Sequence, residues 1–202
     1  MATVDLFNEK AKSWDNSKRK KLTSLAIASS ILKHITLNKQ MEVMDFGAGT
    51  GLISAYVAPF VGKIIAVDIS KAMLEKLKLK PELQVNVNAV CQDITSNPLN
   101  NQFDLIISAL ALHHVENTNN LISTFAAHLK IGAKVALVDL DKEDGSFHPP
   151  NTNGVFHFGF DRAELHILLE KNGFKDIEFH TAYTMNKNDK HYPLFLVIAT
   201  KG

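Results

Sequence analysis

This 202-residue chain has one cysteine, one tryptophan, two arginines (Arg19 and Arg162) and no long apolar run. A lone thiol, Cys91, excludes an internal disulfide and a four-cysteine zinc site, and it points to a reducing, cytoplasmic setting. No stretch approaches the roughly 20 apolar residues of a spanning helix. Residues 1–10 lack an apolar core and carry Asp5 and Glu9, so they do not read as a secretory signal. There is no repeat, no low-complexity tract and no composition shift marking a linker. What is present, 46% apolar and 21% charged residues balanced to a net +1, fits one globular domain spanning 1–202 with a self-sufficient core.

The charge is uneven, because residues 1–40 carry eight bases against three acids, a local +5 that leaves −4 for the rest. Such a segment attracts nucleic acid or anionic substrates, or is simply a solvated helix face. With two guanidinium groups in the chain, nucleic acid is the less expected partner.

Apolar residues recur at helical spacing over 18–34, giving an amphipathic helix within an N-terminal helical segment, 1–38. Beyond it, short β-branched or apolar runs at 41–46, 63–67, 84–89, 103–108 and 133–140 alternate with helical stretches at 52–57, 71–79 and 121–129. This alternation predicts an α/β fold with right-handed crossovers and a mostly parallel sheet, whose ligands bind beyond the carboxyl ends of the strands. A helix over 162–171 and strands over 174–183 and 192–200, flanking the polar stretch 186–190, predict a terminal antiparallel hairpin. The core is thus 39–202.

The strongest local signal is the strand-to-glycine run Val43-Met44-Asp45-Phe46-Gly47-Ala48-Gly49-Thr50-Gly51. Glycines permit a sharp turn and close backbone approach to a ligand, and the helix that follows offers free N–H groups. A dinucleotide fingerprint needs glycine at position 52, which is Leu52, and no Gly-Lys-Ser/Thr follows, so NAD, FAD and a P-loop nucleotide are disfavoured. Asp68 stands 21 positions after Gly47, the separation at which nucleoside sites place a carboxylate on the ribose hydroxyls. Its alternative role, capping the helix from Lys71, is equally open to Ser70.

Together these motifs resemble the class I S-adenosylmethionine-dependent methyltransferases. Asp45 to Gly51 is similar to their glycine-rich motif, Val67-Asp68-Ile69-Ser70 to their ribose motif, Cys91-Gln92-Asp93-Ile94 to the adenine-side acid, and Phe103 to Ser108 to their fourth strand. The resemblance implies a Rossmann-like three-layer sandwich, a seven-stranded mostly parallel sheet with one antiparallel C-terminal strand. It also implies S-adenosylmethionine as cofactor, Asp45 at its ammonium end, and Gly47, Ala48, Gly49 and Gly51 along its methionine portion. Asp68 would take the ribose, Ile69 one side of adenine, and Asp93 and Ile94 the other, with Ala109 bringing backbone close. Leu112-His113-His114-Val115 and the N-terminal Phe7, Ala11, Trp14 and Asp15 look more narrowly like small-molecule enzymes such as the ubiquinone and menaquinone biosynthesis methyltransferases. The expected partner is a small-molecule acceptor; the alternative is a sensor module that binds the cofactor without transfer.

On the acceptor side, His113 and His114 are candidates for a general base or for helix capping. Residues 141–160 are too long for an ordinary connection and too aromatic for disorder, and read as a substrate lid. Asp139 and Asp141 at the end of the fifth strand, with His148 and His157, are donors that suit a divalent metal, but their spacing matches no metal motif, so substrate contacts or lid-anchoring hydrogen bonds are the more expected role. Trp14 either closes over the ligand or docks the first helix, and Cys91, in an apolar run, is expected to be buried.

Overall fold

The computed structural model describes residues 2–202. In chain order they form α1 (Ala2–Lys10), α2 (Lys18–His34), β1 (Glu42–Phe46), α3 (Leu52–Val57), β2 (Lys63–Asp68), α4 (Lys71–Lys78) and β3 (Val87–Cys91). Then come β4 (Phe103–Ala109), α5 (Thr118–Ala127), β5 (Leu129–Leu140), α6 (Arg162–Lys171), β6 (Phe174–Lys187) and β7 (Lys190–Lys201). Among the described residues no helix is long and apolar enough to cross a membrane.

The seven strands make one sheet in the order β3-β2-β1-β4-β5-β7-β6. Neighbours from β3 to β5 run parallel, whereas β7 lies antiparallel to both β5 and β6, so it is the single reversed strand that the sequence predicts. Successive strand residues serve opposite faces. Val43, Ile64, Leu105 and Leu194 join the helices α2, α3 and α4 in one core, while Met44, Ile65, Ile106 and Phe195 join α5 and α6 in the other. Both faces are therefore covered, the three layers of an α/β sandwich.

Helix starts follow side-chain caps: Ser17, Ser70, Asn117 and Asp161 accept backbone N–H bonds at the heads of α2, α4, α5 and α6. Several boundaries differ from the sequence reading, β5 among them, which begins at Leu129 rather than residue 133. The third strand begins at Val87 rather than residue 84, because Pro81 opens a 3-10 turn and the Asn86 side chain is held by the Ala58 and Val61 carbonyls at 2.9 and 3.0 Å. The fifth helix starts at Thr118, one residue after its Asn117 cap. The terminal strands run straight through the polar stretch, since Asn188 and Asp189 adopt left-handed φ of 51° and 59° in a two-residue turn. Cys91 is a correction as well: β3 is the sheet edge, and the thiol is exposed there.

Candidate active site

The chain leaves β1 toward β2 and returns to β4 on the other side of β1, which opens a crevice at the strands' carboxyl ends. Gly47 turns there at φ +68°, donating its N–H to the Val67 carbonyl at 2.9 Å. A Cβ on Gly47 would stand 2.4 Å from Cβ of Ala111, so only glycine lets the loop touch the segment after β4. Gly49, at φ +55°, gives its N–H to Asp68 Oδ2 at 2.8 Å, and an added Cβ would meet nothing within 4 Å. Gly51 does something else. Its Cβ would run into Leu77 and Leu83, so it packs the loop on α4 rather than facing the crevice.

Asp68 takes the Ser70 N–H on its other oxygen at 2.8 Å, while the Ser70 hydroxyl caps α4 through the Met73 N–H. The carboxylate is thus not the helix cap and keeps lone pairs for a ligand. Burial raises its pKa, and the N–H bonds from Ser70 and Gly49 counter part of that. Asp45 is only 2% exposed and accepts the Ser54 hydroxyl at 2.5 Å; burial pushes it up to about 7.

These groups form one end of a cavity of about 800 Å³, near the top of the roughly 300–1,000 Å³ usual for ligand sites. Trp14, Asp45, Gly47, Ala48, Gly49, Asp68, Ile69, Asp93 and Ala109 all stand on its wall. Ile69 is 39% exposed there and presents an aliphatic surface to the cavity. Asp93 is tied to the Thr95 N–H and hydroxyl at 2.9 and 2.7 Å; burial acts to raise it, but these bonds hold it below the ordinary range. That turn directs Ile94 inward, fully buried against Met44 and Val67, so its assignment beside adenine is corrected and Thr95 takes the wall.

The N-terminal segment straps across the opening. Asp15 accepts the Thr50 hydroxyl at 2.6 Å, and the Asn8 side-chain oxygen accepts the Ser70 hydroxyl at 2.7 Å. Trp14 lies beneath the Lys20 ammonium at 3.3 Å, and Phe7 meets His114 edge-on at 5.0 Å.

Beyond β4 the wall changes character. Leu110 carries a left-handed φ of 56° that sequence gives no sign of, and it turns the chain toward His113. His113 is 2% exposed, its Nδ1 is 2.7 Å from Asp139 Oδ1, and its own N–H reaches Oδ2 at 3.2 Å. Its Nε2 is buried with no partner. Burial acts to raise Asp139, yet the His113 contacts and the Leu140 N–H outweigh it and hold the carboxyl below its ordinary value. His114 and His148 pack around the same ring at centroid distances of 4.1 and 5.1 Å. Burial, then the neighbouring His113, pushes both down to about 4. They are therefore neutral at pH 7.

The remaining acceptor-side candidates are not on the wall. Asp141 makes a bidentate pair with Arg162 at 2.7 and 2.8 Å, and His157 Nε2 sits 3.0 Å from the Val115 carbonyl and 3.1 Å from the Thr118 hydroxyl. Both pin the 141–160 segment, and Asp139 stands behind His113. Sequence reading missed Lys10 and Lys187, which also line the cavity but belong to no motif.

Residues 43–132 match the family profile described as "Methyltransferase domain". An uncharacterized methyltransferase of Schizosaccharomyces pombe is 26% identical over 148 residues, 65% of this chain and 52% of that one. A ubiquinone biosynthesis O-methyltransferase of Coxiella burnetii is 32% identical over 134 residues, 64% of this chain and 57% of that one. The chain therefore spans about half the length of the curated relatives it matches. Among solved structures, a DhpI complex with SAH superposes at a TM-score of 0.78 with 17% identity, covering 100% of this chain and 96% of that one.

Proposed function

We propose that this chain, whose residues 43–132 match the methyltransferase-domain profile, is a class I S-adenosylmethionine-dependent methyltransferase acting on a small-molecule acceptor. The observation that carries the reading is one continuous cavity with a nucleoside-type cradle at one end and an oriented, unpartnered imidazole at the other.

The residues fit the cofactor. A sulfonium donor with a ribose and an ammonium group needs carboxylates and open backbone, and Asp68, Asp45 and the space beside Gly49 offer them. When bound, it supplies an electrophilic methyl group open to in-line displacement. Asp68 holds the ribose hydroxyls, Asp45 faces the ammonium, and Ile69 covers one face of the base. Trp14 and the 1–38 segment close the cofactor end, while the 141–160 segment, through Phe147 and His148, serves as the lid that excludes water from the acceptor end.

His113 Nδ1–H donates to Asp139, which leaves the Nε2 lone pair to take the proton of an acceptor hydroxyl, amine or thiol as the methyl arrives. Asp139 is the positioning residue, fixing tautomer and ring as carboxylates do for catalytic histidines. The setting we assign is the cytoplasm.

The test is methyl transfer from labelled S-adenosylmethionine into a metabolite extract. Release of S-adenosylhomocysteine is expected for the native chain, and His113→Ala lowers the rate by about 10²–10⁴. Asp139→Asn does the same by freeing the ring, and both variants retain cofactor affinity. Transfer undiminished in His113→Ala contradicts the assignment of the base.

A further inference from the structure

Charge is ordered along the cavity. Asp93 follows β3, Asp68 ends β2 and Asp45 is the penultimate residue of β1, so carboxylates line the end nearest that sheet edge. Past β4 the titratable groups on the wall are His113, His114, His148, Lys187 at the end of β6, Lys10 of α1, and exposed Glu116 at the turn into α5, and Arg19 and Lys20 of α2 line the cavity as well. Asp139 is consumed by His113. Glu143 lies behind the wall, its Oε2 accepting the Phe147 N–H at 3.1 Å.

Among the described residues neither Lys10 nor Lys187 has a carboxylate within 4.0 Å, and neither do Arg19 and Lys20 on the same wall, whereas Lys78, Lys80, Lys130 and Lys190 each do. Lys187 donates to the Phe147 carbonyl and lies 5.2 Å from that ring's centre, and Lys10 is 5.5 Å from the centre of Phe7. Both ammonium groups act on one point: burial, then His113, Lys10 and Lys187, hold His148 at about 4. Its Nε2 is buried without a partner. A ligating nitrogen and two unpaired cations around one pocket end, with Phe7, Phe147 and Met185 supplying apolar walls, describe a receptor for an anion on an apolar body.

We propose that the methyl acceptor carries an oxyanion, a carboxylate or a phosphoryl group, held between Lys10 and Lys187 beside His148, with its apolar part against Phe7 and Phe147. The word acceptor rests on the methyl-transfer reading; the anion site itself does not. An ammonium binds such a group as a point charge.

Calorimetry on the full chain, alone and saturated with S-adenosylhomocysteine, compares benzoate and phenyl phosphate with neutral benzamide and cationic benzylamine. The anions are expected to bind at least about tenfold tighter than benzamide, and the relative strength of the two identifies carboxylate or phosphoryl. The Lys10→Ala/Lys187→Ala double variant loses that preference and Lys10→Arg/Lys187→Arg retains it, with S-adenosylhomocysteine binding as the control for folding. Equal affinity for benzamide, or a preference that survives the double alanine variant, overturns the proposal. Anion preference without any S-adenosylhomocysteine binding upholds the site and instead removes the cofactor reading.

Discussion

Asp45 shows how one side chain joins structure to pH response. Its carboxyl, buried beside Ser54 and pushed up to about 7 from 3.8, stays protonated below neutrality in the ligand-free protein. Folding then takes up a proton between about pH 4 and 7, and the stability this gives is lost as pH rises through 7. A ligand ammonium favours the ionised form, so binding expels that proton. Affinity for S-adenosylhomocysteine should climb by up to about tenfold per pH unit below 7 and level off above it. Calorimetry from acid to alkaline buffer checks this, and Asp45→Asn should remove the rise centred near 7. At this scale the sequence was legible where chemistry is local: Gly47, Gly49 and Asp68 reach the wall because loop and strand end dictate it. Gly51 and Ile94 were misread, because which neighbour a side chain meets depends on α4 and the second core, and Lys10 and Lys187 come to one cavity wall only through the tertiary fold.

The elements were readable from periodicity, and so was the anomaly of residues 141–160. That segment lacks helix or strand yet is fastened at both feet, by Asp141 to Arg162 and by the Phe160 N–H to the Leu140 carbonyl at 2.9 Å. Gly159 sits in the second foot at φ +72°, where a Cβ would lie 2.2 Å from the Asp141 carbonyl oxygen. Gly159→Ala must therefore move backbone, and we expect a loss of about 1–3 kcal/mol, visible as a lower urea midpoint and faster proteolysis within the segment. Arg162→Ala breaks a partly exposed ion pair, 34% and 24% exposed, and should cost no more than about 1 kcal/mol. If the two variants behave alike in urea and protease, the foot is not set by backbone fit. The hairpin turn was illegible for a related reason: Asn188 and Asp189 are polar, and polarity reads as loop, although both tolerate the left-handed conformation that lets the strands continue.

Across the molecule, the net +1 resolves into a basic N-terminal segment and an acidic remainder, whose Asp45, Asp68 and Asp93 stand in the crevice that the segment covers. The fit is specific, through Asp15 to Thr50 and Asn8 to Ser70. Deleting residues 1–16 should leave the sheet and its two cores folded, since α2 supplies the buried Ile27 and Ile31, but open the cofactor end. S-adenosylhomocysteine affinity is expected to fall at least about tenfold with a cooperative urea transition retained. The sequence announced this segment by its Trp14-Asp15 motif, while the cavity it closes emerged only once seven strands were ordered. All of this hangs on the crevice between β1 and β4 being a nucleoside cradle built on Asp68. Titration calorimetry of S-adenosylhomocysteine into the native chain and Asp68→Ala tests it most directly. We expect one-to-one binding to the native chain, weakened at least about tenfold in the variant; absence of binding, or equal affinity in both, would contradict this.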